Sequence, residues 1–419
     1  MSMYRTEIIK LPFVQHFVEI CNHSRIVFNS SQYFIRQEFG KNGRFPSHKE
    51  VTTHILQGFE QAKECMGFDA AYKSIDAAIN TWKSYFKALK AWKKDPSKFT
   101  AKPLQPGFSN KTFRGHRLFP VRITKKNLRL RGGIFLSHPK QTGISFSRSA
   151  VRITDIDNHA GGYLVPTVKG FEFHLLSKEN VPDPIDGPHR VVAIDLGVSN
   201  IMAVVNNVGE LPMLYPGGKL KSYNHYYNKE AAKLKTKYAS QGITTGSKFQ
   251  RLTTKRNNVV KTHLHAYSRH LVNWCIKHQI DTIVVGYNEL WKQQVAIGKR
   301  NNQNFVYIAH AMLVNQIEFK TRQVGISVIK TEESYTSKCS FLDDEPLTHL
   351  SSYRGIRRPR GLFTASDGTI EDCNNIDIAD NNSVSINADL NGAANIGRKV
   401  LSQHFPKGIK LSTPVVVKL

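Results

Sequence analysis

Cysteine is scarce and scattered. The five cysteines in 419 residues, at positions 21, 65, 275, 339 and 373, form no close pair. That spacing excludes a disulfide framework and predicts a reducing compartment. No apolar run approaches the ~20 residues that span a bilayer. The leading segment MSMYRTEIIKLPF lacks the apolar stretch and small-residue cleavage site of a secretory leader. These absences predict a soluble, cytoplasmic protein with no membrane partner. Acid is also short: 32 Asp and Glu stand against 59 Lys and Arg, for a formal charge of +27. Such an excess suits a polyanionic partner. What is present rules out general disorder, since 40% of residues are hydrophobic and 10% aromatic. The length suits two or three domains.

The charge is clustered. From Lys98 to Arg152 there are 13 basic residues and no acid, with Phe99, Phe108, Phe113, His116, Phe119, Phe135 and Phe146 between them. Lys and Arg neutralise phosphates and aromatic rings stack on unpaired bases. Lys98, Lys102, Lys111, Arg114, Arg117, Arg122, Lys125, Lys126, Arg129 and Arg131 are therefore the candidate nucleic-acid-binding residues. A second run, Lys219 to Arg269, holds 12 basic residues and one acid, Glu230. Within it Leu264, Tyr267, Leu271 and Trp274 recur at spacings of three and four. They predict a helix with a core-facing stripe and a basic opposite face.

Along the chain, residues 1–13 read as a short strand and 14–95 as helices. In the last helix Ile75, Ile79, Trp82, Phe86 and Leu89 fall on one face. Pro96, Pro103, Pro106 and Gly107 mark a linker over 96–110. Alternating segments over 111–187 predict an all-β unit. PDPIDGP, at 182–188, is a boundary, after which the pattern becomes mixed α/β.

Two carboxylates stand out in that last part. HRVVAIDLGVSN places Asp195 at the end of an apolar strand, where an acid is costly unless ligated or hydrogen-bonded. SINADLNGAANIGRKVL places Asp389 at the start of a helix rich in small residues, suited to close packing on a sheet. Each alone reads equally as a turn or helix-capping Asp. The pair, in matching surroundings, is far more specific.

With IVVGYNELWKQQ (283–294), KRNNQNF, EESYTSKCSFLD (332–343) and NADLNGAANIGRK (387–399), the chain resembles the TnpB family, transposon-encoded RNA-guided DNA endonucleases ancestral to the type V CRISPR effectors. The resemblance covers 189–419 and extends loosely over WKSYFKALKAWKKDPSKF and KP…PGF upstream. It implies a multidomain α+β protein. A wedge-type β-barrel (1–13 with 96–187) would carry a helical recognition domain (14–95). An RNase H-like (RuvC) α/β nuclease domain (189–419) would hold a degenerate zinc-ribbon insertion at about 340–385. It implies two Mg²⁺ ions, a guide RNA from the transposon end, double-stranded target DNA and a prokaryotic cytoplasm. Asp195 matches the family's first acid and Asp389 its third.

The second acid departs. Most members of the family that the chain resembles carry Glu at the strand end that is here Gly286. Glu289 could swing back. Glu333 could reach from the next strand, GISVIKTEE, which the resemblance places alongside, and alternation lets only one of Glu332 and Glu333 face the site. Alternatively the site is dead and the protein is a guided binder. Glu333 is the favoured metal ligand and catalytic acid, with Asp195 and Asp389. The ribbon departs too: Leu342 stands where a partner for Cys339 would fall, and Cys373 is alone, so no structural zinc is expected. The arginine-rich SYRGIRRPRGLF fills that region, as a phosphate-tracking segment or a solvated loop. An unguided structure-specific nuclease would fit the acids but leave 1–187 unexplained.

Overall fold

A computed structural model describes residues 2–113, 115–137, 143–151, 158–288, 309–357, 361–365, 378–379 and 383–419. The chain divides into two compact units, Met1–Asn180 and Val181–Leu419.

In the first unit β1 (Ser2–Leu11) leads into helices α1 (Gln15–Asn42), α2 (His48–Gly58), α3 (Glu60–Met66) and α4 (Phe68–Lys94). The segment VTTHILQGFEQAKECM, which reads as one helix, breaks at Phe59, directly after Gly58, a poor helix former. On α4 Ile75, Ile79 and Trp82 are fully buried, and the Trp82 indole N–H donates to Gln32 Oε1 at 2.6 Å.

Short strands follow: β2 (Thr112–Phe113), β3 (His116–Arg117), β4 (Val121–Ile123), β5 (Leu128–Arg131), β6 (Ile134–Ser137) and β7 (Ser145–Ser147). The long strands β8 (His159–Thr167) and β9 (Gly170–Asn180) close the unit. One sheet has the order β1-β9-β8-β4 and another β5-β6-β7, while β2 and β3 form a hairpin. Because β1 pairs with β9 along its whole length, the helices are an insertion between the first and last strands. Phe135, Phe146 and Phe173 join the two sheets in one core, with ring centroids 5.0 and 5.2 Å apart. Of the alternating stretch 111–187, residues 114, 138–142 and 152–157 lie outside the described residues.

The second unit is built on β10 (Val191–Asp195), β11 (Asn200–Asn206) and β12 (Met213–Pro216), followed by helices α5 (Gly218–Ala239) and α6 (Ser247–Lys277). Next come β13 (Thr282–Gly286), α7 (His310–Arg322) and β14 (Ser327–Thr331). Strands β15 (Leu362–Thr364), β16 (Ile378–Ala379) and β17 (Ser383–Asn387) precede α8 (Ala388–Val400) and β18 (Val415–Val416).

The main sheet has the order β14-β13-β10-β11-β12-β18, with β10 antiparallel to β11 and parallel to β13. Side chains alternate across β10. Val192 and Ile194 pack with Leu264, Tyr267, Leu271 and Leu313, whereas Val191 and Ala193 pack with Ala393, Ala394 and Ile396 of α8. Both faces are thus covered, which is why these strands are apolar throughout. Cys275 rather than Trp274 completes the buried stripe of α6; the Trp274 ring stacks on His278 at 4.2 Å.

The start of β13 is fixed by a buried acid. Asp281, 3% exposed, accepts from the backbone N–H groups of His189 at 3.0 Å and Arg190 at 2.7 Å. This carboxylate sets where β10 begins relative to β13, and through that register where both strands end. Asp281→Ala is expected to cost about 3 kcal/mol of stability, and Asp281→Asn less, because Asn keeps one acceptor. Urea unfolding of the two variants checks this; equal midpoints for Ala and wild type would rule it out.

Candidate active site

Parallel β10 and β13 place Ile194 beside Val285, so Asp195 and Gly286 end neighbouring strands. On the far side of β13, Gly286 pairs with Thr331, the last residue of β14. The chain then continues into Glu332 and Glu333 and turns at once. Tyr335 adopts φ 67°, and Thr336 closes the turn on the Glu333 carbonyl with its N–H at 3.3 Å and its hydroxyl at 2.9 Å. Thr336 is 3% exposed, so the turn is anchored in the core.

This geometry separates the two glutamates. Glu332 faces outward, pairs with Lys399 and accepts from Ser334 N at 2.9 Å. The Lys399 and Ser334 hydrogen bonds hold its carboxyl down at about 2. Glu333 turns inward over Gly286. A Cβ at position 286 would stand 2.7 Å from Glu333 Oε1 and 2.9 Å from its Cγ, so the glutamate could keep this position only over a bare strand end. Glu333 Oε1 is buried without a hydrogen-bond partner. Burial first, then the charges of Asp195 and Glu332, push its carboxyl up to about 8.

Asp195 is approached from the other side by α8. A Cβ at Gly392 would lie 2.6 Å from Asp195 Oδ2, so glycine there is what allows the helix to press onto the acid. Burial and then the Asp389 charge push Asp195 up to about 7, against the opposing field of Arg357 and a hydrogen bond from Leu196 N–H.

Asp389 is the second residue of α8 and not its cap. Asn387 caps the helix by accepting from Asp389 N at 3.0 Å, which leaves the Asp389 carboxylate for the site. Asn200 Nδ2 donates to Asp389 Oδ2 at 2.9 Å, and Arg357 Nη2 to Asp389 Oδ1 at 2.9 Å.

The three acids named from sequence are therefore brought together from two strand ends and a helix start. They offer hard oxygen donors, and a buried, unpartnered carboxylate oxygen is what a hard cation would satisfy; on that ground the residues fit Mg²⁺. As they stand, no group of three or more His, Cys, Asp or Glu among the described residues is placed to hold a metal ion, so the fit is one of donor chemistry. Glu289 and Cys373 lie outside the described residues.

The segment after Glu333 is held to α8 by buried amides. Asn391 accepts from Phe341 N and donates to the Cys339 carbonyl, both at 2.9 Å. Asn395 donates to the carbonyls of Thr336 at 2.9 Å and Cys339 at 2.7 Å. Glu345, 3% exposed, accepts from Ser340 N at 2.6 Å and from Arg354 N, drawing the segment together around a carboxylate. Cys339 is buried, with its Sγ 3.4 Å from the Pro346 carbonyl. Asn200, Arg357, Gly392 and Thr336 were not singled out by sequence reasoning. Only Gly392 carried a signal, as one of the small residues of its helix.

The candidate nucleic-acid residues lie in the first unit and are not alike. Lys111, Arg117, Lys125, Arg129 and Arg131 are exposed. Lys102 Nζ sits 5.7 Å from the Trp92 ring centroid. Lys126 pairs with Asp69 at 2.9 Å. The Arg122 guanidinium is engaged by the carbonyls of Ala160 at 2.6 Å and Gly162 at 3.0 Å and lies over Tyr163, so it braces the sheet. Arg114 lies outside the described residues, as does the side chain of Lys98.

Residues 174–292 match the family model OrfB_IS605, described as a probable transposase. That match bears out the resemblance to TnpB. No curated protein matches the chain. Similar solved structures include a cryo-EM structure of the Cas12f1-sgRNA-target DNA complex, at 16% identity and TM-score 0.35 over 96% of this chain and 100% of that one. A cryo-EM structure of a CRISPR-Cas12f ternary complex is 18% identical, with TM-score 0.37 over 94% of this chain and 82% of that one.

The raised carboxylates carry a pH signature. Their folded-state values lie above the ordinary range, so their contribution to stability is full below about pH 4 and is lost as pH rises through 7–8. In chelator-washed protein, Glu333→Gln removes part of that loss. Its melting temperature is expected to match wild type near pH 5 and to exceed it by roughly 2–4 °C at pH 9. A difference that stays constant from pH 5 to 9 would contradict the inward placement of Glu333.

Proposed function

We propose that the protein is an RNA-guided DNA endonuclease of a transposable element, cutting target DNA beside a short flanking motif by two-metal-ion hydrolysis in a prokaryotic cytoplasm. The observation that carries this reading is the meeting of Asp195, Asp389 and Glu333, with the Glu333 side chain lying over Gly286 where relatives place their own glutamate. The sheet order β14-β13-β10-β11-β12-β18, with a small-residue helix packed on it, supports an RNase H-like fold for 189–419. In the same reading, 1–13 with 96–187 is the wedge-type barrel and 14–95 the recognition domain. A guide RNA from the transposon end would pair with target DNA. The exposed Lys111, Arg117, Lys125, Arg129 and Arg131 would lie along the RNA backbone.

Asp195, Glu333 and Asp389 would hold the Mg²⁺ ions, which when bound supply an activated water and stabilise the leaving oxygen of the phosphodiester. The chain's own part is placement. Gly286 lets the Glu333 side chain lie over the end of β13, and Gly392 lets α8 come close to Asp195. Asn200 fixes one oxygen of Asp389, and Thr336 fixes the backbone of Glu333. Glu333 Oε1 is buried without a hydrogen-bond partner, which leaves that oxygen for a cation.

Protein purified from its host cell should carry RNA of defined sequence and linearise plasmid bearing the matching target in Mg²⁺. Asp195→Ala, Asp389→Ala and Glu333→Ala should each lower cleavage by at least about 100-fold while guided DNA binding persists. Glu332→Ala and Glu289→Ala should cut nearly normally. RNA-loaded protein that holds its target but never cuts in Mg²⁺ or Mn²⁺ would be a guided binder, and absence of any defined RNA would remove the guided reading altogether.

A further inference from the structure

The acid site contains a cation of the chain's own. Arg357 Nη2 donates to Asp389 Oδ1 at 2.9 Å, and Asn200 already holds the other oxygen, Oδ2, at 2.9 Å. Both oxygens of Asp389 are therefore taken, one by a neutral amide and one by a full positive charge. Arg357 is also close enough to Asp195 for its field to favour the ionised carboxylate. We infer that Arg357 is an internal counter-ion of the acid site, and that a divalent cation binds by displacing its guanidinium from Asp389.

The inference rests on the metal reading above and goes beyond it. A guanidinium and a dication on one carboxylate oxygen repel each other at short range in a partly enclosed site. Simultaneous occupancy is the costly state, so the two exclude each other. The arrangement also suits release. The Arg357 side chain is 35% exposed, which gives the guanidinium water to move into. Its backbone stays anchored meanwhile: Ile356 and Thr364 exchange N–H···O bonds at 2.8 and 2.9 Å, and Ala388 N donates to the Gly361 carbonyl at 3.0 Å. Exchange thus needs a side-chain rotation and no rearrangement of the start of α8. Lys330 is an internal control. It pairs with Glu318 at 2.8 Å and has no part in the exchange.

The test is calorimetric titration of Mn²⁺ into the full chain, freed of nucleic acid by a salt wash and of metal by a chelator. Arg357→Gln keeps hydrogen-bonding groups but removes the charge. It is expected to bind Mn²⁺ about tenfold more tightly than wild type, a typical size for removing one competing charge. Lys330→Ala should bind as wild type does. In an Asp389→Asn background, Arg357→Gln should bring no such gain. Unchanged or weaker Mn²⁺ binding by Arg357→Gln, with wild type binding normally, overturns the inference and leaves the metal reading standing. If neither wild type nor Arg357→Gln binds Mn²⁺, there is no cation to exchange and the inference falls together with that reading. Heat unfolding shows whether Arg357→Gln is folded; should it not be, Arg357→Lys, which keeps a charge but loses the fork, is expected to bind less than threefold more tightly, and a tenfold gain from it would count against charge competition.

Discussion

A methyl group at position 286 would collide with Glu333 Oε1 at 2.7 Å and with Ile396 Cδ1 at 2.5 Å, and the arrangement of the acid site follows from its absence. The bare strand end gives a glutamate on the adjoining strand a floor to cross. It also lets Ile396 of α8 come down onto the sheet beside it, which in turn seats Gly392 against Asp195. Two glycines on different elements thus bring a helix, two strand ends and a turn within contact of one another. A Cβ at 286 would strike the core side chain of Ile396 and then Glu333, and one at 392 would strike Asp195, so either substitution would disturb an acid of the site.

The energetics of the site are opposed to those of the fold. Desolvation pushes Asp195 and Glu333 toward the neutral form; the charge of Asp389 adds to it at Asp195, and those of Asp195 and Glu332 add to it at Glu333. The surroundings hold them in place all the same. Asn391 and Asn395 tie the Glu333 turn to α8, and Asp281 sets the strand register from the other end of the sheet. Such a cluster is stable when a positive charge completes it. In this chain Arg357 is positioned to supply one, on the single oxygen of Asp389 that Asn200 leaves open. Within the basic run of the first unit, Lys126 pairs with Asp69 and Arg122 is held by carbonyls of its own sheet.

Parts of this arrangement were legible in the sequence for identifiable reasons. Asp195 showed because an acid interrupts a run of strand-forming apolar residues, and Asp389 because small residues at helical spacing mark a close-packed helix. The helices of 14–95 and the boundary near 182–188 followed from periodicity and proline. The Glu333 assignment came from the resemblance combined with alternation along a strand, since local composition does not separate Glu332 from Glu333. Arg357 could not be found this way. It sits in an arginine-rich stretch whose path is decided by Glu345 gathering the backbone of Ser340 and Arg354, a contact no periodicity encodes. The basic run over 98–152 was visible as charge, but charge alone did not say that Arg122 is consumed by carbonyls of its own sheet.

In the function proposed above, Glu333 supplies, from just beyond β14, the carboxylate that position 286 lacks. The most direct measurement is cleavage by a chain in which the acid is moved back. Gly286→Glu combined with Glu333→Ala, with Ile396→Val to remove the δ-methyl group that a Cβ at 286 would strike, places the carboxylate on the strand end itself. The account predicts that RNA-loaded protein with these three changes recovers target cleavage in Mg²⁺, while Glu333→Ala with Ile396→Val stays inactive. A triple variant that folds, keeps its RNA and binds target yet cuts no better than that inactive pair would contradict it.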